Sequence, residues 1–388
     1  MAKETRTVRR VIIIKTLVKQ YRLVFFQKLF EELRLEGVAL TVLYGSPSQA
    51  EKKKSDNVNL PAEIGHAIPS KYLWGDRLLL QWPSLENIVT ADLIIVVNAN
   101  RNLINFPLML LSRLGLKRVA FWGHGANHQR IGNSFSEAIK RFLVVQPDWW
   151  FAYTEQTAAY LAAVGFDASR ITTINNAIDT SDFAREVGAM SIDEIILMRK
   201  KLGLRETDRV GLYCGSLYPE KRLPFLLKAA ELVAKEAPNF RLLIIGSGVE
   251  EKWVREACDR HDFLRYAGSL FGTDKAICYR MAEMVVNPGL VGLAVLDSFA
   301  AAVPLLTMAD SLHSPEFSYV ESGVNGLVVE GNESDFAKAV LSILEDAELA
   351  LHLRIGAAKS AKLYSVEKMV EHTKEGVLRC LKSLVSQR

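Results

Sequence analysis

Short apolar runs alternate along the chain with longer stretches in which apolar residues recur every three or four positions. The runs RRVIIIKTLV at 9–18 and VALTVLYG at 38–45 predict strands, and FFQKLFEELRLEG between them predicts a helix that ends at Gly37. Further strands are predicted at ADLIIVVNA, KRVAFWG, WWFAYT and ITTIN. Runs that are apolar almost throughout are typical of parallel strands covered on both faces.

The same alternation starts again with the strand DRVGLYCGS, the helix RLPFLLKAAELVAKEAP and the strand FRLLIIGSG. Between the two series, the stretch 181–204 predicts a helical connector. We therefore predict an α/β fold with two Rossmann-like parallel-sheet domains, residues 1–182 and 183–364. A last helix at 365–388 is expected to pack back on the first domain.

The chain has 388 residues, of which 49% are hydrophobic and 24% charged, as in an ordinary soluble globular protein. No apolar run approaches the ~20 residues that a membrane span needs, and the run near the start is too short for a signal peptide. The four cysteines lie far apart without metal-ligand spacing, so neither disulfides nor a zinc site is expected. These features predict a reduced, cytoplasmic protein.

The formal net charge is +4, but residues 1–180 carry +7 and the rest of the chain carries −3. A basic first half suits an anionic partner, either a phosphate-bearing acceptor or an anionic membrane surface touched peripherally at the inner face of the cell membrane. Solvated charge without a partner is the alternative, since EKKK at 51–54 is the only dense cluster. Nucleic acid is not expected as a partner.

Loops that follow strands are where chemistry is expected, because ligands bind beyond the carboxyl ends of the strands in an open parallel sheet. GSGVEE at 246–251 follows a strand, but Glu251 stands where a dinucleotide fingerprint needs its third glycine. The GK[ST] sequence of a P-loop is absent. These observations argue against an NAD or FAD enzyme and against a P-loop protein.

The loop CGSLYPEKRLPF joins a predicted strand to a predicted helix. Gly215 and Ser216 allow close approach of a ligand to the backbone, and Lys221 and Arg222 place two cations at the helix start. Cations there oppose the helix dipole by ~0.3–1 kcal/mol, which a bound anion such as a diphosphate would offset. Solvated charges after a turn are the alternative.

The loop VVNPGLVGLAVLD is apolar apart from Asn287 and its single acid, Asp297. Gly289 and Gly292 let the backbone approach a ligand, and a helix beginning near Gly292 would offer free N–H groups to an anion. Asp297 lies ~7 Å further along the helix axis, where the ribose beyond a diphosphate would be. A buried aspartate satisfied by local backbone is the alternative.

His124 stands between two glycines directly after a predicted strand, in AFWGHGANHQR. Such a position faces the ligand edge of the sheet, where an imidazole could orient a sugar hydroxyl or move a proton. A structural histidine is the alternative. His128, four residues on, has weaker support.

These segments together resemble the retaining GT-B glycosyltransferases of the large family 4 group. GSLYPEKRLPFLLKAAELV resembles the family's G-R-L-x-x-x-K loop, and LLIIGSGVEE resembles its G-x-G strand end. YAGSLFGTDKAICYRMAEMVVNPG resembles the stretch that contacts the base, and HSPEFSYVESGVNGLVV resembles its later N-G-x-L-V segment. The resemblance implies a GT-B fold with two Rossmann-like domains facing a cleft, an acceptor-side first domain and a nucleotide-sugar-binding second domain.

The resemblance also implies residue roles. Lys221 matches the diphosphate-binding lysine, Asp297 stands at the second Glu of the Glu-x7-Glu motif that binds ribose, and His124 resembles a histidine near the donor sugar. His124 and Lys221 are the catalytic candidates. The donor-binding candidates are Gly215, Ser216, Lys221, Arg222, Gly268, Phe271, Gly289, Leu290, Gly292, Leu293 and Asp297.

Two positions depart from the family pattern. Gly289 stands where the first Glu of Glu-x7-Glu is expected, and Ser216 stands where the motif has an arginine, a charge that Arg222 could supply. Gly289 has no side chain with which to contact the donor sugar, so the sugar is not predicted.

The predicted function is a hexosyl-type glycosyltransferase that moves a sugar from a nucleotide-diphosphate sugar to a saccharide or lipid-linked acceptor, with retention. In the first half, YRLVFFQKLFEEL, FWGHG and AYTEQTAAYLAAVGFDASRITTINNAID resemble one bacterial subgroup of the family. That resemblance implies synthesis of surface polysaccharide or glycoconjugate. No cofactor is expected, and no metal either, because no D-x-D motif follows a strand. A degenerate protein that binds sugar nucleotides without turnover, and a nucleotide-sugar epimerase of the same fold, are the alternatives.

Overall fold

The chain folds into two compact units in the computed structural model. The first unit comprises residues 1–178 and 366–388, and the second comprises residues 179–365. The seam lies four residues before the predicted one at 182/183. The structure describes residues 8–48, 51, 56–99, 101–125 and 144–383.

The first unit is built on a seven-stranded parallel sheet with the order β3-β2-β1-β6-β7-β8-β9. A short antiparallel hairpin, β4–β5, which the apolar pattern does not predict, interrupts the series. The strands are β1 Arg9–Lys15, β2 Val38–Tyr44, β3 Gly65–Ala67, β4 Ser70–Leu73, β5 Leu78–Gln81, β6 Leu93–Val97, β7 Val119–Gly123, β8 Trp149–Ala152 and β9 Ile171–Thr173.

Helices accompany this sheet, and the first of them, α1, follows the predicted pattern. Its apolar residues Phe25, Phe26, Leu29 and Leu33 recur at helical spacing and are fully buried. Gly37 follows the helix with φ +72°, a left-handed conformation that glycine adopts without strain, so the predicted stop is confirmed. The helices are α1 Leu23–Leu35, α2 Leu85–Thr90, α3 Asn105–Arg113 and α4 Glu155–Ala163.

The second unit is built on a six-stranded parallel sheet with the order β12-β11-β10-β13-β14-β15. The chain enters at β10, builds outward through β11 and β12, then returns to the other side of β10 with β13. The strands are β10 Arg209–Cys214, β11 Phe240–Ile245, β12 Leu264–Tyr266, β13 Ala282–Val286, β14 Leu305–Met308 and β15 Gly326–Val329. The order reverses between β10 and β13, which makes their carboxyl ends the expected ligand position.

The predicted connector forms two helices rather than one, and it belongs to the second unit. The break lies at Met190–Ser191, where Ser191 starts the next helix with a capping box to Glu194. The helices of this unit are α5 Ser181–Ala189, α6 Ile192–Lys201, α7 Leu223–Glu236, α8 Glu251–Cys258, α9 Gly272–Met281, α10 Ala294–Ala300, α11 Glu333–Glu345 and α12 Ala347–Leu363.

The last helix, α13 Val366–Ser383, returns to the first unit. It packs along α1, where the ammonium of Lys374 lies 2.7 Å from a carboxylate oxygen of Glu32. The two sheets confirm the prediction of an α/β fold with two Rossmann-like parallel-sheet units. Within the described parts of the chain, no helix combines the length and apolar character needed to cross a bilayer.

Candidate functional site

Two loops of the second unit lie at the point where its strand order reverses. Residues 215–222 follow β10, and residues 287–293 follow β13, the neighbouring parallel strand. Adjacent parallel strands end at the same edge of the sheet, so the two loops lie side by side. The two segments singled out in the sequence are thus brought together.

The first loop is held by the glycines that end β11. A Cβ atom on Gly246 would lie 1.8 Å from the carbonyl oxygen of Gly215, and one on Gly248 would lie 2.4 Å from that of Leu217. The Leu217 amide donates to the Ser247 carbonyl at 2.9 Å. The G-x-G sequence therefore serves close packing of one loop on another.

Gly289 packs against the peptide that joins Glu220 to Lys221. A Cβ atom at 289 would lie 2.3 Å from the Glu220 carbonyl oxygen and 2.4 Å from Lys221 Cα. The next amide, that of Leu290, donates to the same Glu220 oxygen at 2.8 Å. The sequence suggested that Gly289 lets a ligand approach the backbone. In the structure, the group that packs against Gly289 is the neighbouring loop.

Lys221 ends a 3-10 turn, Pro219–Lys221, and its ammonium donates to the Leu290 carbonyl. Burial lowers the pKa of this amine, and the nearby Glu220 opposes that shift. Within the described residues no carboxylate pairs with Lys221. A half-buried cation with only a carbonyl partner is thus available to an anion.

Arg222 is engaged differently. It caps α7 in a left-handed conformation, with φ 56° and ψ 41°. Its guanidinium donates to Asp310 at 2.7 Å and to the Ser311 hydroxyl at 3.0 Å, and it lies over the Phe225 ring. Ser216, where the family has an arginine, is exposed. Arg222 was predicted to supply the missing charge, but its guanidinium is already paired with Asp310.

The second loop leads into α10, which begins at Ala294, two residues after the predicted start at Gly292. Within the turn, the amide of Val295 donates to Gly292 and that of Leu296 donates to Leu293. The amides of Gly292, Leu293 and Ala294 have no acceptor within the described residues. These three N–H groups are free to bind a ligand, as the sequence suggested for Gly292 and Leu293.

Asp297 is paired with a lysine that the sequence analysis missed. Its carboxylate lies 2.7 Å from the ammonium of Lys275, and the two side chains are 17% and 22% exposed. The same ammonium lies 4.8 Å from the centre of the Phe183 ring and 5.7 Å from that of Tyr279. Lys275 lies in the first turn of α9, which follows β12, a strand of the same sheet. This position after a strand was the only feature of the sequence that could have indicated a role for Lys275 in the site.

His313 holds the second loop from the other side. Its Nδ1 accepts from the Val291 amide at 3.1 Å, so the proton is on Nε2, which donates to the Met308 carbonyl at 2.7 Å. The ring stacks on Phe317, with centroids 4.0 Å apart. Burial lowers the pKa of His313 and keeps this neutral form. Nothing in the local sequence pattern marked this residue.

Gly268 and Phe271 lie in the loop between β12 and α9. Gly268 has φ +72°, and its carbonyl accepts from the Gly246 amide at 2.8 Å. Phe271 is 80% exposed although it is a large apolar residue. An exposed ring beside the other loops suits stacking on a flat ligand.

In the first unit, His124 follows β7 and is exposed. Its ring contacts Tyr153 edge to face, with centroids 4.4 Å apart. His128 lies outside the described residues, as do residues 52–54 of the basic cluster. Across the described part of the chain, no group of three or more His, Cys, Asp or Glu side chains is placed to hold a metal ion.

Family models match both units. Residues 24–182 match the model described as Glycosyltransferase Family 4, and residues 208–346 match the one described as Glycosyl transferases group 1. The fold of the whole chain is similar to that of Anabaena HepE in complex with UDP, with a TM-score of 0.67, 15% identity, and coverage of 95% of this chain and 99% of that one.

Curated relatives match over shorter stretches. The alpha-monoglucosyldiacylglycerol synthase of Acholeplasma laidlawii is 25% identical over 45% of this chain and 44% of its own length. The GDP-mannose-dependent monoacylated alpha-(1-6)-phosphatidylinositol monomannoside mannosyltransferase of Corynebacterium glutamicum is 32% identical over 38% of this chain and 41% of its own length. The chain thus spans about half the length of the curated relatives that it matches.

Proposed function

We propose that this chain is a GT-B glycosyltransferase that moves a hexosyl group from a nucleotide-diphosphate sugar to a hydroxyl of an acceptor, and its two family matches and its fold support this. The observation that carries the proposal is that Lys221 and three backbone amides without a described acceptor lie at the same edge of the sheet. A half-buried cation and the N–H groups of Gly292, Leu293 and Ala294 belong to two loops at one sheet edge. Such a set matches the charge of a diphosphate.

The rest of the nucleotide would extend from that point over the second unit. Asp297 would accept hydrogen bonds from the ribose hydroxyls, with Lys275 holding its carboxylate in place. Phe271, beyond Gly268, would stack on the base. The UDP complex of Anabaena HepE supports a nucleotide as the ligand of this fold.

In the reaction, the bond between the sugar and the diphosphate breaks while the acceptor oxygen bonds to the anomeric carbon. Negative charge develops on the departing phosphate, and Lys221 with the three amides would stabilise it. His124 would orient a sugar hydroxyl or handle the acceptor proton. We propose retention of the anomeric configuration, and leaving-group stabilisation by these groups without an obligatory metal.

The acceptor is proposed to be a saccharide or a lipid-linked molecule, in surface polysaccharide or glycoconjugate synthesis. The names of the two relatives contain a diacylglycerol and a phosphatidylinositol, which supports a lipid as the acceptor. Peripheral membrane contact is supported by the exposed apolar face of α3, with Phe106 and Leu110 followed by Leu114. The stretch KQYRLVFFQKLF at 19–30 is also rich in aromatic and basic residues, but its Phe25 and Phe26 are core residues and cannot contact a membrane.

A second candidate is a protein that binds sugar nucleotides without turnover. Gly289 favours it, because the position of the family's first acidic residue has no room for a side chain. The two candidates differ in product formation, not in binding.

The test incubates the protein with UDP-, GDP- and dTDP-sugars and with lipid-linked and saccharide acceptors, and follows nucleotide release and product by mass spectrometry. Transfer with α-configured product from an α-linked donor is expected, as read from the anomeric proton by NMR. Nucleotide-dependent thermal stabilisation without product from any pair would instead support the binding protein.

A further inference from the structure

The first unit contains a lysine that has no counter-ion among the residues that the structure describes. Lys15 is the last residue of β1, where the strand order of that sheet reverses between β1 and β6. Its ammonium lies 4.4 Å from the centre of the Trp122 ring, and no described carboxylate pairs with it. Lys19, four residues along, is by contrast paired with both Glu51 and Asp56.

A second cation lies close enough to act on Lys15. Arg22 is 5% exposed and donates to the carbonyl of Ala177, to the side-chain oxygen of Asn176 and to the sulfur of Met369, all of them neutral groups. Burial first, and the charge of Arg22 second, lower the pKa of Lys15 to about 7. The edge of the sheet therefore holds the guanidinium of Arg22 and an amine that is only partly protonated near pH 7, without a compensating carboxylate among the described residues.

The surroundings of Lys15 add a hydrogen-bond donor. The indole N–H of Trp122 is buried and has no acceptor among the described residues. The Trp122 ring lies edge on to Tyr153, with centroids 6.4 Å apart, and Tyr153 contacts His124. The unpaired amine, the unpaired indole and the candidate catalytic histidine thus share one edge of the sheet.

An uncompensated buried charge destabilises a folded protein, and a methionine or leucine would fill the same place without that penalty. Packing alone therefore does not explain a lysine at position 15 beside Arg22. A phosphate group would supply the missing negative charge and would accept a hydrogen bond from the amine. We propose that the carboxyl edge of β1 binds a phosphate group of the acceptor, with Lys15 as its direct ligand and Arg22 as the second positive charge.

The proposal deepens the proposed function and rests on it for the identity of the ligand, since the first unit is the one expected to take the acceptor. Its direct test requires no turnover. The melting temperature is measured with glycerol 3-phosphate, with glycerol, and with potassium chloride at matched ionic strength. Glycerol 3-phosphate is expected to raise the Tm of the wild-type protein above both controls.

The variant Lys15→Met is expected to lose that response and yet to melt a few degrees higher without ligand, because it removes a half-buried amine that has no described counter-ion. Lys19→Met is the matched control, since it removes a lysine that has two carboxylate partners. It should melt at a lower temperature and keep the phosphate response. A wild-type protein without a response, or a Lys15→Met protein that responds like wild type, would overturn the site.

A parallel titration with UDP separates the two sources of phosphate. An unchanged UDP response in Lys15→Met supports the acceptor as the source, whereas its loss would assign the position to the donor and overturn the proposal. Failure of sugar transfer with every donor would refute the proposed function alone, because the Lys15-dependent phosphate response is measured independently of it.

Discussion

Gly289 and Lys221 are packed backbone against backbone, so that a Cβ atom at 289 would lie 2.4 Å from Lys221 Cα. The Leu290 amide bonds to Glu220 at 2.8 Å, and the Lys221 amine bonds back to Leu290. The two loops expected to hold the donor phosphates are therefore one structural piece. This contact is possible because residue 289 is a glycine and not the glutamate of the family pattern.

Restoring the family residue by Gly289→Glu should accordingly damage the protein. The side chain has no room against the 220–221 peptide, so we expect a Tm several degrees lower and UDP binding at least tenfold weaker. Gly292→Ala is the control for folding, since its Cβ would meet only Ser314 Oγ at an ordinary 3.5 Å and should leave the Tm near that of wild type. Unchanged melting and UDP binding in Gly289→Glu would contradict the packing argument.

Lys221→Ala should lower kcat by about 100-fold, because it removes the cation expected to stabilise the leaving diphosphate. Its Tm should fall only slightly, since the variant loses one hydrogen bond, to the Leu290 carbonyl, and no described ion pair. Lys228→Ala, which removes an exposed lysine of the next helix, should turn over like wild type. The same assay with EDTA should give wild-type rates, and inhibition that magnesium reverses would refute the metal-independent reaction.

The proposed contact of Asp297 with the ribose can be tested by comparing a ligand that has a ribose with one that lacks it. Asp297→Asn should weaken UDP binding about tenfold, or ~1.4 kcal/mol, while pyrophosphate, which lacks a ribose, should bind as before. Calorimetric titrations of the two ligands provide the comparison. Equal losses for both would mean that the carboxylate acts only through its pair with Lys275, a half-buried contact 2.7 Å long.

The lowered pKa of Lys15 predicts a pH dependence of stability. Its pKa is about 7 in the folded protein and 10.5 as the ordinary value, so the unfolded chain binds more protons between these limits. Folding should therefore become more favourable as the pH rises from 7 towards 10, relative to Lys15→Met. Urea unfolding of both proteins across this range measures the difference, and parallel curves would show that Lys15 keeps an ordinary pKa beside Arg22.

Membrane contact can be tested on α3. Replacing Phe106 and Leu110 by glutamate should abolish flotation with anionic vesicles, because both side chains are exposed on one face of the helix. Leu197→Glu, which changes a still more exposed leucine of the second unit, should float like wild type. Flotation of the α3 variant at the wild-type level would exclude this face as the membrane contact.

The alternation of apolar runs was enough to predict the parallel sheets and the loops after β10 and β13, because chain direction alone brings those loops to one edge. Partners of side chains could not be predicted. The pairing of Asp297 with Lys275 and that of Arg222 with Asp310 depend on how separate elements pack. Lys15 lies inside the strand predicted at 9–18, and nothing in the sequence indicated that it belongs to a site. The hairpin β4–β5 was missed because its four-residue strands carry no clear alternation.

The return of α13 to the first unit has a consequence for biosynthesis. Residues 179–365 form a continuous stretch that can complete its own sheet once it has left the ribosome. The first unit cannot be completed until α13 has been synthesised, because α13 packs on α1 and the sulfur of its Met369 accepts a hydrogen bond from Arg22. The half synthesised first is therefore the half completed last, and a chain stopped before residue 366 would expose the apolar surface of α1 to aggregation.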